Sequence, residues 1–172
     1  MKRLTILRHA KSSWEDSNLA DFDRPLNDRG WKAARRVGRE LKKRGIEFDL
    51  CVASTAARVR ETLDGLVESY GKPDFEICFE PRIYEASLAT LTAIVRGLPV
   101  SSKAPLLVGH NPGLHQLVLE FARDDGRGLR DRASAKFPTA ALAMIEFNVD
   151  LWTGIEPGGG EISELIFPKE LD

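Results

Sequence analysis

Short apolar runs of strand length alternate with helix-spaced apolar positions along almost the whole chain, and this alternation limits the fold more than any other feature of the sequence. Residues 4–7, 48–53, 75–79 and 104–108 are the runs, and the last is apolar throughout, as a strand covered on both faces must be. Between the first two, Asn27 or Asp28 is placed to cap a helix in which Trp31, Ala34, Val37, Gly38 and Leu41 share one face, with Lys42, Lys43, Arg44 and Gly45 as its stop. Residues 56–70 predict a second helix, with Val59, Leu63, Leu66 and Val67 as its buried stripe, ended by Gly71 and Pro73. Further helices are expected over 88–98, before Pro99, and over 114–122. Residues 140–149 and 161–167, separated by a segment ending in three glycines, read as a strand pair at one edge of the sheet. The expected fold is α/β: three layers, a mostly parallel central sheet with helices on both faces, and an antiparallel strand pair at the C-terminal end. No repeat or linker divides residues 1–172, so one domain is expected.

Two stretches lack this patterning. Residues 10–27, polar and carrying Pro25, read as a long loop beside the first strand end, and loops of that length are often functional. Residues 123–132, with mixed charges and two glycines, read as a solvated loop. The balance of 25 basic against 26 acidic residues leaves no electrostatic footprint for nucleic acid or an anionic membrane, so any affinity for anions must be local. The apolar run after Met1-Lys2-Arg3 spans only four residues before Arg8, which predicts neither an export signal nor a spanning helix. Cys51 and Cys78 lie in separate apolar segments without metal-binding spacing and read as buried thiols of a cytoplasmic protein.

In a mainly parallel sheet the carboxyl ends of the strands converge on one edge, where α/β folds bind ligands. The first expected strand ends at Arg8-His9-Ala10 and the second at Ser54-Thr55-Ala56-Ala57-Arg58, with Arg58 in the first helical turn. The third leads to Glu85 and the fourth to His110. Two guanidiniums, two imidazoles and the helix N-termini gathered at one point suit a tetrahedral dianion, the arginines forking onto its oxygens. No metal is expected, because His115 follows His110 by five residues rather than the four that would set two ligands on one helix face. No cofactor is expected either. Ser13 and Trp14 are candidates for the mouth of the pocket, with loop packing as the alternative. Asn111 is placed to cap the following helix, to orient His110 or to contact substrate, and Arg24 and Arg29 are expected to pair with Asp21, Asp23 or Asp28.

Four ordered motifs carry a family likeness: Leu7-Arg8-His9-Ala10-Lys11-Ser12, Asp23-Arg24-Pro25-Leu26-Asn27-Asp28-Arg29-Gly30, Ser54-Thr55-Ala56-Ala57-Arg58-Val59-Arg60-Glu61-Thr62 and Val108-Gly109-His110-Asn111-Pro112-Gly113. Together with Phe137-Pro138-Thr139 they resemble the histidine phosphatase superfamily over nearly the whole chain, nearest to the small SixA-type phosphohistidine phosphatases. The resemblance implies a phosphoglycerate mutase-like fold in which His9 attacks phosphorus and becomes a phosphohistidine that water hydrolyses. Arg8, Arg58 and His110 would hold the phosphoryl oxygens. Glu85, within Ile83-Tyr84-Glu85-Ala86-Ser87, matches the usual position of the acid that protonates the leaving oxygen, a role less uniform in the small enzymes. Larger relatives insert a helical cap near this position, whereas only 24 residues separate Glu85 from His110, so no cap domain is expected and the site should be open.

An open site favours a phosphorylated protein, above all protein phosphohistidine, as substrate of a chain acting as a monomer. A small sugar or nucleotide phosphate is the alternative phosphomonoester substrate, and a non-catalytic phosphoprotein-binding module is the alternative without turnover; the intact His9 argues against the latter. A cysteine phosphatase is disfavoured, since six residues rather than five separate Cys51 from Arg58 and Leu50 precedes the cysteine. No Gly-x-Ser-x-Gly elbow marks a serine hydrolase.

Overall fold

In the computed structural model, which describes residues 1–171, six strands form one sheet. They are β1 (Lys2–Arg8), β2 (Leu50–Ala53), β3 (Glu76–Phe79), β4 (Pro105–Gly109), β5 (Leu142–Phe147) and β6 (Gly160–Ile166), in the order β3-β2-β4-β1-β5-β6. The first four run parallel, with Thr5 opposite Leu106 and Leu50 opposite Pro105; β5 is antiparallel to β1, and β6 to β5. The helices are α1 (Asp28–Lys43), α2 (Ala57–Tyr70), α3 (Leu88–Arg96), α4 (Gly113–Phe121) and α5 (Leu129–Ala135). This is the expected α/β arrangement with its closing antiparallel pair. Between Glu85 and His110 stand only α3 and β4, with no cap.

The strand period of two sends alternate side chains into two apolar layers. Leu4 and Ile6 of β1, Leu107 of β4 and Ile145 of β5 meet Leu91, Val95, Leu114 and Val118 of α3 and α4. On the other face, Leu7, Leu106, Val108 and Leu142 meet Val37, Leu41, Val59, Leu63 and Leu66 of α1 and α2. Helices cover both faces, so β4 is apolar at every position rather than at every second one, and β1 interrupts its apolar run Leu4–Leu7 only with the buried Thr5. Each Leu or Ile buried completely in these layers contributes about 1.5–3 kcal/mol relative to exposure.

The start of α1 is fastened to the chain leaving β1. Asn27 is the cap, its Oδ1 accepting the Gly30 N–H at 2.9 Å, and its own N–H donates to the Lys11 carbonyl at 3.0 Å. A Cβ on Gly30 would fall 2.1 Å from that same carbonyl oxygen, so only glycine lets the helix approach this closely. The 10–27 loop is accordingly ordered, with Ser12 bridging Leu26 and a 3₁₀ turn at Asp21–Asp23.

Two expectations are corrected. The segment 123–132 is not loop throughout, because α5 starts at Leu129; the Arg130 guanidinium pins it to the end of α4 by donating to the Ala122 and Leu119 carbonyls at 2.7 and 3.1 Å. One buried side chain, Ala133, is too little to show a helical period among so many charges. Cys78 is half-buried rather than buried, since β3 is the outermost strand of the sheet; Cys51, one strand further in, is fully buried, and both thiols are free. Among the described residues no helix is long and apolar enough to cross a membrane.

Candidate active site

Where β1 runs out, backbone bonds to β4 and to the segment before β5 carry the chain over the edge of the sheet. The His9 N–H donates to the Gly109 carbonyl at 3.0 Å, and the Ala140 N–H donates to the carbonyls of Arg8 and His9 at 3.1 and 3.0 Å. Thr62 joins this strand end to the first turn of α2: its Oγ1 accepts the Ala10 N–H at 2.9 Å and donates to the Arg58 carbonyl at 2.6 Å. His9 and Arg58, 49 positions apart in sequence, thereby become fixed neighbours.

The His9 ring has one defined tautomer. Its Nδ1 lies 2.7 Å from the Ala10 carbonyl, which only accepts, so Nδ1 carries the proton and Nε2 presents its lone pair, with Arg58 Nε 3.4 Å away. Burial, with help from the Arg58, Arg8 and Arg24 charges and against the bond to Ala10, pushes the His9 pKa down to about 4. His110 lies beside it, the ring centroids 5.2 Å apart and its Nε2 2.7 Å from Ser54 Oγ. Burial and then the neighbouring His9, Arg58 and Arg8 push its pKa down to about 3. Both rings are neutral at neutral pH, and a neutral imidazole among fixed cations can act as a nucleophile.

The cations are held by acceptors on three sides. Arg8 Nη1 donates to the Phe137 carbonyl at 3.1 Å. Arg58 donates from Nη1 to the Asp21 carbonyl at 2.7 Å and from Nη2 to Asp21 Oδ2 at 3.0 Å. The other carboxylate oxygen of Asp21 accepts from Arg24 at 2.9 Å, while Oδ2 also accepts the Tyr84 hydroxyl at 2.6 Å. These three donors, Tyr84 foremost, hold the Asp21 carboxyl far below the usual carboxylate range, and burial together with that bond pushes the Tyr84 hydroxyl up to about 12. Arg24 is buried, donates to Ser12 Oγ and the Ser13 carbonyl, and lies 3.2 Å from the centroid of the exposed Trp14 ring. Among the described residues Arg8 Nε, His110 Nδ1 and Asn111 Oδ1 find no hydrogen-bond partner, as is also true of Arg3 Nε and of Thr5 Oγ1 in the middle of β1.

The structure thus gathers Arg8, His9, Arg58 and His110 into one cluster, as the strand-end argument expects, and adds Arg24, Asp21, Tyr84 and Ser54. Asp21 pairs with Arg24, as their spacing predicts, and also with Arg58, which the sequence pattern does not show. A charge two-thirds of the way along a polar loop carries no periodic signal, and only the Arg24 spacing hints at it. Glu85 is exposed, with φ 55° in the left-handed region, and enters no hydrogen bond or ion pair among the described residues. Ser13 turns its hydroxyl to the Glu15 N–H at 3.1 Å. Asn111 does not cap α4: that cap position is Pro112, and Asn111 Nδ2 donates instead to the Phe137 carbonyl at 2.8 Å, the same oxygen that holds Arg8. The helix begins hard against its neighbours, since a Cβ on Gly113 would lie 2.6 Å from the Ala86 carbonyl oxygen. His115 packs, its Nε2 2.7 Å from the Ala133 carbonyl and its ring stacked on Phe137. Arg29 makes no ion pair among the described residues, and no group of three His, Cys, Asp or Glu among them is arranged to hold a metal ion. Burial pushes the Cys51 thiol up to about 12, which leaves it without the thiolate a cysteine phosphatase needs.

A sequence profile of the histidine phosphatase superfamily (branch 1) matches residues 4–96, more than half of the chain and the part that holds His9, Arg58 and Glu85. The chain belongs to the histidine phosphatase superfamily. Among its relatives, the Mycobacterium tuberculosis protein Rv1276c is 32% identical over 154 residues, covering 88% of this chain and 93% of the relative. A 2,3-bisphosphoglycerate-dependent phosphoglycerate mutase of a Methylobacterium species is 34% identical over 97 residues, 55% of this chain and 47% of the mutase. A candidate phosphohistidine phosphatase SixA from Nakamurella multipartitia has the same fold, with a TM-score of 0.82 at 26% identity over 97% of this chain and 96% of its own. Histidine phosphatase membership and these neighbours support a phosphatase activity.

Proposed function

We propose that this histidine phosphatase removes the phosphoryl group from protein phosphohistidine by way of a covalent phosphohistidine on His9. The observation that carries this reading is the His9 ring itself: Nδ1 is tied to the Ala10 carbonyl, and the unprotonated Nε2 faces Arg58 inside a cluster of fixed cations. In the first step the Nε2 lone pair forms a bond to phosphorus as the bond to the leaving nitrogen breaks. Arg8, Arg58 and His110 hold the phosphoryl oxygens where negative charge is spread in the transition state. In the second step water attacks phosphorus, the N–P bond breaks, and the electron pair returns to Nε2 as phosphate departs. The leaving imidazole of a phosphohistidine is expelled more easily than an alkoxide, so the exposed Glu85 matters less as an acid for this substrate than for a phosphomonoester. The absence of a cap between Glu85 and His110 favours a phosphate presented on a protein surface.

The likeness to a phosphoglycerate mutase favours a second reading, hydrolysis of a small phosphomonoester. Incubation with a labelled phosphohistidine protein and with a panel of sugar and nucleotide phosphates, quenched in alkali, separates the two. Acid-labile label on His9 and faster release from the protein substrate are expected. Faster release from a member of the panel would establish the second reading, and label on neither, with the protein folded, would leave only a phosphoprotein-binding module.

A further inference from the structure

Along one face of α1 runs a groove of about 410 Å³ whose rim is almost entirely cationic: Lys11, Arg29, Lys32, Arg36, Lys136 and Lys169. Its floor is apolar, formed by Ala33, Pro138, Phe167 and Pro168. Arg29, Lys32 and Arg36 stand at helical spacing on one face of α1, and Lys136 and Lys169 face them from the segments before β5 and after β6. The one lining carboxylate, Glu170, is already taken by Arg132, outside the groove, at 2.7 and 2.8 Å. Among the described residues none of the six cations enters an ion pair, although nine such pairs occupy arginines elsewhere in the molecule. In a chain of net charge −1, six unpaired cations around one groove are a local concentration rather than an overflow of basic residues.

Several lining residues adjoin, along the chain, the residues that build the candidate active site. Lys11 lies two positions after His9, and Thr139 directly precedes Ala140, whose N–H holds the carbonyls of Arg8 and His9. Lys136 and Pro138 flank Phe137, whose carbonyl anchors Arg8 and Asn111. We propose that the groove is a docking site for an acidic segment of the phosphoprotein substrate, one that sets carboxylates against the cationic rim and apolar side chains on the floor. This rests on the reading of the substrate as a phosphoprotein. Beyond the groove the exposed Arg39 and Lys43 continue the α1 stripe at helical spacing, so a thymidine oligonucleotide and anionic vesicles enter the test as competitors.

The test uses the full chain and a fluorescein-labelled peptide of Asp, Glu and Leu without phosphate, with its Asn/Gln counterpart as control, followed by fluorescence anisotropy. The acidic peptide is expected to bind with an affinity that falls as salt rises, and at least about tenfold more tightly than the control. The double variant Lys32→Glu/Arg36→Glu on one wall, and Lys169→Glu on the other, should each weaken it by about tenfold or more while the thermal midpoint stays unchanged. Equal binding of the two peptides, no binding of either, or undiminished binding by both variants overturns the proposal, as does tighter binding of a thymidine oligonucleotide or anionic vesicles than of the acidic peptide. A second arm compares hydrolysis of phosphohistidine peptides with acidic and with neutral flanks. A higher kcat/KM for the acidic one, erased in the variants, supports the groove and the substrate reading together. Intact acidic-peptide binding with no phosphohistidine hydrolysis supports the groove and removes the substrate reading.

Discussion

Arg8, Arg24 and Arg58 of the candidate active site and Lys11, Arg29, Lys32 and Arg36 of the groove are both clusters of cations, yet the two sets are held in opposite ways. Each of the first three donates to named acceptors, the Phe137 and Ser13 carbonyls and Asp21, while the second set is solvated and unpaired among the described residues. A fixed charge in a site partly closed to water acts strongly over a few ångströms and is little affected by salt. A solvated charge on a mobile stem acts weakly, at longer range, and is screened. The contrast separates two tasks that cations are put to: stabilising charge on a transferring group, and attracting a partner.

The most severe break of that contrast is His9→Ala, which removes the atom the cluster is built around. Turnover of every phosphorylated substrate should be lost while the thermal midpoint is retained, and a variant that still turns over would remove the covalent mechanism. Next comes Arg58→Ala, for which a fall in kcat of about 10²–10³ is expected, against no more than about a twofold change for Arg36→Ala on a small phosphoester. Comparable losses for the two would erase the distinction between the sets. Asp21→Asn keeps the size of the side chain but removes its charge and turns one of the two acceptors that bridge Arg24 and Arg58 into a donor, so kcat should fall about tenfold. A rise instead would mean that Asp21 competes with phosphate for Arg58 rather than orienting it.

Protonation probes the same cluster from within. His9 and His110 have pKa values of about 4 and about 3 in the folded protein, against about 6.5 in an unfolded chain. The unfolded state therefore binds more protons between those limits, and stability rises with pH across that window and is lost as pH falls through it. The thermal midpoint should drop on acidification from pH 7 toward pH 4, less steeply in His9→Asn, and a midpoint independent of pH would contradict the neutral, buried rings. The smallest effect expected is that of Cys51→Ser. Its thiol is buried in the layer under α1 and α2, so kcat should stay within about twofold of the parent, and a large loss would reopen the cysteine mechanism.

Much of this was legible without coordinates. Strand-length apolar runs and capped, one-faced helices reveal the alternation, because burial on two faces of a sheet imposes its period on the chain. The same reasoning brings Arg8, His9, Arg58 and His110 to one edge, since each follows a strand that runs parallel to the others. What stayed hidden were side chains without period. Asp21 lies in a polar loop, Tyr84 beside a short 3₁₀ turn, and α5 offers only Ala133 as a wholly buried position. Asn111 shows the limit from the other side. Its place before a helix suggests a cap, but the Phe137 carbonyl, 26 positions away, is the better partner once β5 lies against β1.

By itself the sequence determined the α/β layering, the parallel strand ends and the identity of the imidazoles and guanidiniums placed there, because periodicity and short-range order are written in local residue pattern. Tertiary structure alone decided which nitrogen of His9 is free, that Asp21 locks Arg58 as well as Arg24, and that the cations of α1 face Lys136 and Lys169 across one groove. Hydrogen-bond direction, shared acceptors and opposing walls depend on distances between residues far apart in the chain, and those distances exist only when the chain is folded.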